Sequence, residues 1–355
     1  MSSIAPTQID PEVHYSPEYV RLSLAAAMTL KFTKGWFYRN ARLRCINLLL
    51  TYRDGCKANC AFCGLAGEKE RIKSGGSFIR VPWKSFRTSD VIEAIKDTPE
   101  EVSRVCISMI THPQSIKDTI DICKEVVSKT EKMVSLLISP TVLRRDDLRA
   151  FKKAGADRIG VAIDCATEGL FEEMRGKAVG GPHRWGTYWR VYEESLDIFG
   201  HGKSGVHLIC GLGESEKELI FSIDRAHKLG GFTHLFSFFP EKGSRMESVS
   251  PPPISVYRRI QMARWLIDND KSEYSRMNFD SSDRVIDFGV RDQDLQDAIE
   301  SGIPFETSGC PGFDGRTACN RPYGNEKPGE DIRNFPFRLE APDVEKVGRE
   351  LKEYC

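Results

Sequence analysis

The sequence has no apolar run near the roughly 20 residues that a membrane-spanning helix needs, so a transmembrane role is excluded from the reading. Charge of one sign is also missing: Lys plus Arg number 51 and Asp plus Glu number 51. No global field therefore draws the chain toward nucleic acid or an anionic lipid surface, and runs such as Arg144-Arg145-Asp146-Asp147 read as a solvated face. The opening stretch Met1 to Ile9 is polar and lacks the apolar core of a secretory signal, which makes the cytoplasm the expected location. Internal repeats and low-complexity tracts are absent. What the chain does have is cysteine, 11 residues in 355, and in a reducing compartment these read as metal ligands and buried thiols rather than disulfides.

Short apolar runs alternate with amphipathic stretches. Strands are expected at Ile46–Tyr52, Arg104–Ile110, Met133–Ile138, Asp157–Ile163, Gly205–Cys210 and Thr233–Phe239. Helical patterns at Ser89–Lys96, Ile116–Ser128, Arg145–Lys153 and Glu216–Leu229 lie between them. Continuous apolar strands separated by helices predict an α/β fold whose parallel sheet is covered on both faces. With weaker strands near Val285–Phe288 and Pro304–Thr307, the expectation is a (β/α)8 or partial TIM-type barrel. Ser16 reads as the N-cap of an opening helix through Ala25-Ala26-Ala27, and the Gly-, Pro- and Asn-rich stretch after Ser308 reads as ordered loop. The expected division is an N-terminal helical extension over 1–42, a barrel over 43–309 and a loop-rich C-terminal elaboration over 310–355.

The first expected strand runs into Arg53-Asp54-Gly55-Cys56-Lys57-Ala58-Asn59-Cys60-Ala61-Phe62-Cys63-Gly64. In such barrels active sites gather at the C-terminal ends of the strands. Structural zinc usually takes two separated Cys-x2-Cys pairs. Here one loop supplies three thiolates at Cys-x3-Cys-x2-Cys spacing, suited to one face of a [4Fe–4S] cubane with an iron left open. Radical chemistry on S-adenosylmethionine needs that open iron to chelate the amino acid moiety.

The cluster loop, with Phe62 just before the third cysteine, resembles that of the radical S-adenosylmethionine (SAM) superfamily. Within it the chain is most similar to the biotin synthase and lipoyl synthase branch, and in particular to the two-component lipoyl synthases. Arg44-Cys45-Ile46-Asn47-Leu48-Leu49-Leu50-Thr51-Tyr52, Gly180-Gly181-Pro182-His183-Arg184-Trp185, His234-Leu235-Phe236-Ser237-Phe238-Phe239-Pro240 and Cys319-Asn320-Arg321-Pro322-Tyr323 carry that narrower likeness. The resemblance implies that Phe62 lies against adenine and that Gly211, Gly213 and Glu214 border adenine and ribose. It gives Asp164 to the ribose hydroxyls, although a helix N-cap is its plainer role. It gives Arg184 to the SAM carboxylate, with His183 and Arg175 as neighbouring competitors. The Gly-Gly-Glu that many members carry after strand two is replaced by Ser108-Met109-Ile110-Thr111-His112-Pro113, which leaves the amine's partner unassigned.

Cys310 and Cys319, flanked by Gly and Pro, are expected at the barrel mouth as ligands of a second, auxiliary iron–sulfur cluster, or else as zinc-binding or packing residues. Two ligands are too few. Cys106, which matches a cluster-binding cysteine of the biotin synthase pattern, is the expected third; Cys45, Cys355 and Ser308 are alternatives. Cys123, Cys165 and Cys210 read as packing residues. The activity implied is sulfur insertion into an octanoyl chain; the rival is a related radical enzyme with one cluster and no sulfur insertion. Implied partners are an octanoylated lipoyl carrier domain or H protein, a related second radical SAM subunit and an electron donor such as ferredoxin, with neither nucleic acid nor membrane.

Overall fold

The computed structural model describes residues 15–39, 41–66, 77–322 and 331–353. The chain opens with a strand, β1 (Tyr19–Leu22), rather than with a helix from Ser16. The aromatic and β-branched pair Tyr19-Val20 favours extended backbone. Ser16 is instead a clamp, its Oγ donating to Tyr19 O and accepting the Thr51 N–H. The helical part shrinks to α1 (Leu24–Thr29), capped by the Ser23 hydroxyl on Ala26 N.

Next come β2 (Cys45–Leu49), a small antiparallel hairpin of β3 (Ser77–Phe78) and β4 (Val81–Pro82), then β5 (Lys84–Arg87) and α2 (Thr88–Lys96). The βα repeat follows as β6 (Arg104–Ser108), α3 (Ser115–Lys129), β7 (Met133–Ile138), α4 (Arg145–Lys153), β8 (Ala156–Asp164), α5 (Glu168–Met174) and α6 (Trp185–Phe199). It continues with β9 (Ser204–Cys210), α7 (Glu216–Lys228), β10 (Phe232–Ser237) and α8 (Ile254–Asp268). The sheet runs β10-β9-β8-β7-β6-β2-β1-β5. From β2 to β10 every pairing is parallel, and β1 adds antiparallel to the outer edge of β2. Among the described residues its two edges do not pair, so the fold is a partial barrel.

Two expected strands are not barrel staves. Val285–Asp287 pairs with Asn278–Phe279 in a separate hairpin. Residues 303–305 form a single 3₁₀ turn after Gly302, whose φ of 67° ends the preceding helix, and Glu306 makes one isolated bridge with Phe335. Pro304 at the start of that turn has no N–H to give a sheet ladder.

Side chains alternate along each stave. Ile46, Leu48, Val105, Ile107, Leu136, Val161, Val206 and Leu208 are 0–1% exposed beneath the helices, each such burial contributing about 1.5–3 kcal/mol. The opposite face lines the lumen. The 310–320 segment docks at the foot of the staves: Arg104 Nε donates to Pro311 O at 3.0 Å, Arg44 N to Asn320 Oδ1 at 3.3 Å, and Asn320 Nδ2 to Arg42 O at 2.7 Å. Cys310 therefore lies at the N-terminal ends of β2 and β6, not at the mouth where the sequence reading put it.

The α7–α8 seam is tied by a buried ion pair. Arg259 and Glu216 are 1% and 3% exposed and 2.6 Å apart, and Glu216 also accepts the Val285 N–H. Removing one member of such a pair leaves an uncompensated charge. Arg259→Met is expected to cost about 3–5 kcal/mol in urea unfolding, and adding Glu216→Leu to recover most of that loss.

Candidate active site

Immediately beyond β2 the chain turns through the three-cysteine loop, and neighbouring elements brace it on several sides. Lys57 N donates to Thr111 O (2.7 Å), Ala61 N to Met174 O (2.8 Å) and Asn59 Nδ2 to Val179 O (2.5 Å). His112, stacked on Tyr52 with ring centroids 3.9 Å apart, holds Asp54 at 3.0 Å. The Thr111-His112 step that stands where Gly-Gly-Glu is common thus braces the cluster loop. Such external bonding fixes a loop that has no ladder of its own.

Cys56 and Cys63 face a cavity of about 230 Å³ at the head of the staves. Phe62, Asp164, Arg175, Leu49, Ser108, Ile209 and Phe236 share its wall. The three thiols lie close enough to act on one another electrostatically: burial, then Cys60 and Cys56, pushes the Cys63 thiol well up. Burial likewise raises Cys60, against the pull of Arg175. Buried thiolates so placed need a cationic centre to be stable. Among the described residues no group of three or more His, Cys, Asp or Glu is set to hold a single metal ion. Three thiolates at Cys-x3-Cys-x2-Cys spacing on one loop suit one face of a cubane cluster.

Asp164, the last residue of β8, has φ of 65°. That conformation is uncommon for a side-chain-bearing residue, and such strain concentrates at working sites. Its carboxylate pairs with Arg175 at 3.0 Å, both side chains nearly buried. Burial pushes Asp164 up, with Arg175 opposing. Thr167, not Asp164, caps α5, its side chain accepting from Leu170 N, so the N-cap alternative for Asp164 falls away.

Arg184 is exposed just before α6, its Nη1 donating to His183 O at 2.7 Å, and is not among the cavity-lining residues. Arg175, by contrast, stands in the wall beside Asp164. Sequence reasoning ranked it only as a competitor because it follows a helix and no motif marks it. His183 also lines the cavity, 2.9 Å from Tyr188 Oη, and burial lowers its pKa to about 2. The 211–214 turn is closed on itself: Gly211 N and Leu212 N donate to the Glu214 carboxylate at 2.6 and 3.0 Å. A Cβ on Gly211 would meet Pro252 Cδ at 2.6 Å. Gly211, Gly213 and Glu214 are not among the residues that line this cavity.

A second thiol group lies deeper. Cys45, Cys310 and Cys319 pack with Ala318 and Cys106. Asn47 Nδ2 donates to Cys319 Sγ at 3.7 Å and to Cys45 Sγ at 3.9 Å, and Cys310 Sγ is 3.8 Å from His234 Nε2. Hydrogen bonds from Cys106 and Cys45 favour the thiolate of Cys319, while burial pushes Cys310 up to about 11. Cys106, Cys310 and Cys319 thus come together, and Cys45 joins them. Of the alternatives, Ser308 is engaged with Leu235 N, and Cys355 lies outside the described residues. Cys123 packs in α3, donating to Ala154 O, and Cys165 and Cys210 are buried. Asn47 and Cys106 stand two residues before the wall residues Leu49 and Ser108 on β2 and β6, so the lower thiols begin ~7 Å beneath the cavity floor at strand rise. His207, in the wall, packs on His234 with centroids 4.9 Å apart and bridges the two levels. A side chain at Gly160 would intrude there, its Cβ 2.9 Å from His207 Nε2.

A parallel half-open barrel with a three-thiol loop at its head defines the class of cluster-bearing (β/α) barrel enzymes. Residues 50–226 match the Radical SAM superfamily; the chain carries a radical SAM domain, of the enzyme class that uses a [4Fe–4S] cluster and S-adenosylmethionine. The crystal structure of HydG, a maturase of the [FeFe]-hydrogenase, shares the fold at 12% identity and a TM-score of 0.50, over 70% of this chain and 54% of that one. The chain thus spans about half of that protein's length. The radical S-adenosylmethionine methyltransferase TsrM from Kitasatospora setae, with cobalamin and a [4Fe–4S] cluster bound, aligns at 13% identity and a TM-score of 0.40, over 59% and 39% of the two chains. Coproporphyrinogen III oxidase (HemN) from Escherichia coli, a radical SAM enzyme, aligns at 13% and 0.34, over 42% and 36%. No curated protein matches the sequence. Among the described residues no helix is long and apolar enough to cross a membrane.

Two outcomes follow. Replacing Cys56, Cys60 and Cys63 together with Ala is expected to abolish 5′-deoxyadenosine formation under dithionite, measured by chromatography. Burial raises Glu214 to about 7, above its usual range, so its neutral form is favoured in the fold. Stability is then greatest below the unfolded pKa near 4.5 and declines as pH rises through about 7. Thermal melts from pH 5 to 8 should show this fall, and Glu214→Gln should flatten it.

Proposed function

We propose that this radical SAM enzyme inserts sulfur into an unactivated carbon of an octanoyl chain during lipoyl cofactor synthesis. The observation that carries the reading is the lower thiol group, Cys45, Cys106, Cys310 and Cys319, set directly under the cavity that the cluster loop faces. When bound, the upper cluster and S-adenosylmethionine supply a 5′-deoxyadenosyl radical, and an iron–sulfur centre on the lower thiols supplies sulfide.

The chain's own residues have separable tasks. Phe62 and Asp164 offer S-adenosylmethionine a flat apolar face and a carboxylate at the cavity wall. Met109, Ile110, Leu137, Ile138, Phe238 and Phe239 make much of that wall apolar, which suits an alkyl chain and keeps water from a reactive carbon. The β3–β4 hairpin covers one side, with Arg80 over the Phe239 ring at 3.7 Å. The octanoyl chain would arrive on a lysine of a lipoyl carrier domain or H protein. A related second radical SAM subunit would share the two insertions, and a ferredoxin-type donor would supply electrons.

The test is anaerobic reconstitution with iron and sulfide quantitation, followed by assay on an octanoylated carrier peptide. Cys310→Ala with Cys319→Ala is expected to lose about half of the bound iron, by the stoichiometry of two cubane sites. It should still release 5′-deoxyadenosine and yield no thiolated peptide. A wild-type protein that holds one cluster only, or a double variant that still inserts sulfur, would overturn the reading in favour of a single-cluster radical enzyme.

A further inference from the structure

Arg175 is 5% exposed, and every arm of its guanidinium is engaged. Nη1 donates to the carbonyls of Ala162 and Ile163 and pairs with Asp164, and Nη2 reaches Tyr188 Oη at 3.4 Å. The guanidinium also lies over the Phe171 and Tyr188 rings at 5.3 and 4.8 Å. What remains is Nε, and it points at Cys60 Sγ from 3.5 Å. A structural brace of β8 would need only the Nη groups. The bond to the sulfur is additional, and it comes from a permanent cation in a water-poor site.

Hydrogen bonds to ligand sulfurs and buried charge are two of the protein's levers on an iron–sulfur cluster's reduction potential. The three ligands are not equivalent in this respect. Cys63 Sγ accepts a neutral backbone N–H from Leu65 at 3.4 Å, whereas Cys60 Sγ accepts from a cationic donor. We infer that Arg175 sets how readily the cluster on Cys56, Cys60 and Cys63 accepts its electron, acting through the Cys60 sulfur as a positioning residue. Reduction adds one negative charge to the cluster. A fixed N–H donor and positive charge at the sulfur stabilise that more negative state, so Arg175 raises the potential. Asp164, on the far side of the same guanidinium, opposes it. The inference concerns the upper cluster alone and stands whichever substrate the cavity takes.

The experiment is an EPR-monitored redox titration of the anaerobically reconstituted full chain, with dithionite as electron donor and no S-adenosylmethionine. Arg175→Met combined with Asp164→Asn avoids a stranded carboxylate. It should keep the wild-type iron content in the cluster loop and lose roughly tenfold in the reduction equilibrium, ~59 mV to the negative for a one-electron couple. Asp164→Asn alone should move the potential in the positive direction. Tyr188→Phe, which removes an Nη2 partner and leaves Nε in place, should leave it unchanged. Should the double variant fail to hold a cluster, Arg175→Lys keeps the charge and loses the directed N–H, and should show a smaller negative shift. An unchanged potential in any Arg175 variant that retains its cluster, or a negative shift for Asp164→Asn, would overturn the inference and leave Arg175 as a brace of β8.

Discussion

The register between β2 and β6 decides what the barrel can contain. Asn47 lies opposite Cys106, and Leu49 opposite Ser108. Because side chains repeat every second residue, these two rungs build two storeys of the lumen, an apolar one above and a sulfur-rich one below. A slip of β2 by one residue would turn Asn47 and Leu49 outward under the helices and put Ile46 and Leu48 into the lumen, and a slip of β6 would do the same to Cys106 and Ser108 with Val105 and Ile107. The four aliphatic residues, each 0% exposed, are what prevent the slip. The chemistry of the lumen is thereby pinned by the packing of its outer face.

Charge is managed in a comparable way. The head of the barrel holds Arg175 and Asp164 almost wholly out of water, and the foot holds Arg104, 0% exposed, on Asp157. Each arginine sits beside thiols, Arg175 beside Cys60 and Arg104 in the field of Cys310 and Cys45. Burying an ion pair rarely stabilises a fold as well as apolar residues of the same volume would. At both levels the arginine stands next to sulfur, where its fixed charge favours the thiolate over the thiol. The backbone strain at Asp164 belongs to the same arrangement, since the left-handed turn lets the carboxylate meet Arg175 at the end of β8.

Much of this was legible in the sequence. The six parallel staves were read from apolar runs, because a strand buried on both faces leaves an unbroken signature. The three-cysteine loop was read from spacing, because its ligands are consecutive. Ser16 misled because a serine before an alanine-rich stretch looks like a cap, whereas Tyr19-Val20 between them prefers a strand. The 310–320 segment was placed at the wrong end because nothing local records which way a loop folds back; that follows from Arg44, Arg104 and Asn320, far apart in the chain. Arg175 was underrated for a similar reason. Its partners Cys60, Asp164 and Tyr188 meet it only in three dimensions.

The docking of residues 310–320 onto the foot of the barrel has a consequence in time. The upper loop and the staves that brace it lie within residues 50–226, and they leave the ribosome first. The lower thiols are split between Cys45 on β2, Cys106 on β6 and a segment that follows α8 and the hairpin at 278–287. Until that segment is made, Cys45 and Cys106 stand at an open end of the lumen. Synthesis therefore imposes an order, head before foot, and the three-thiol loop is complete well before the four lower thiols can come together.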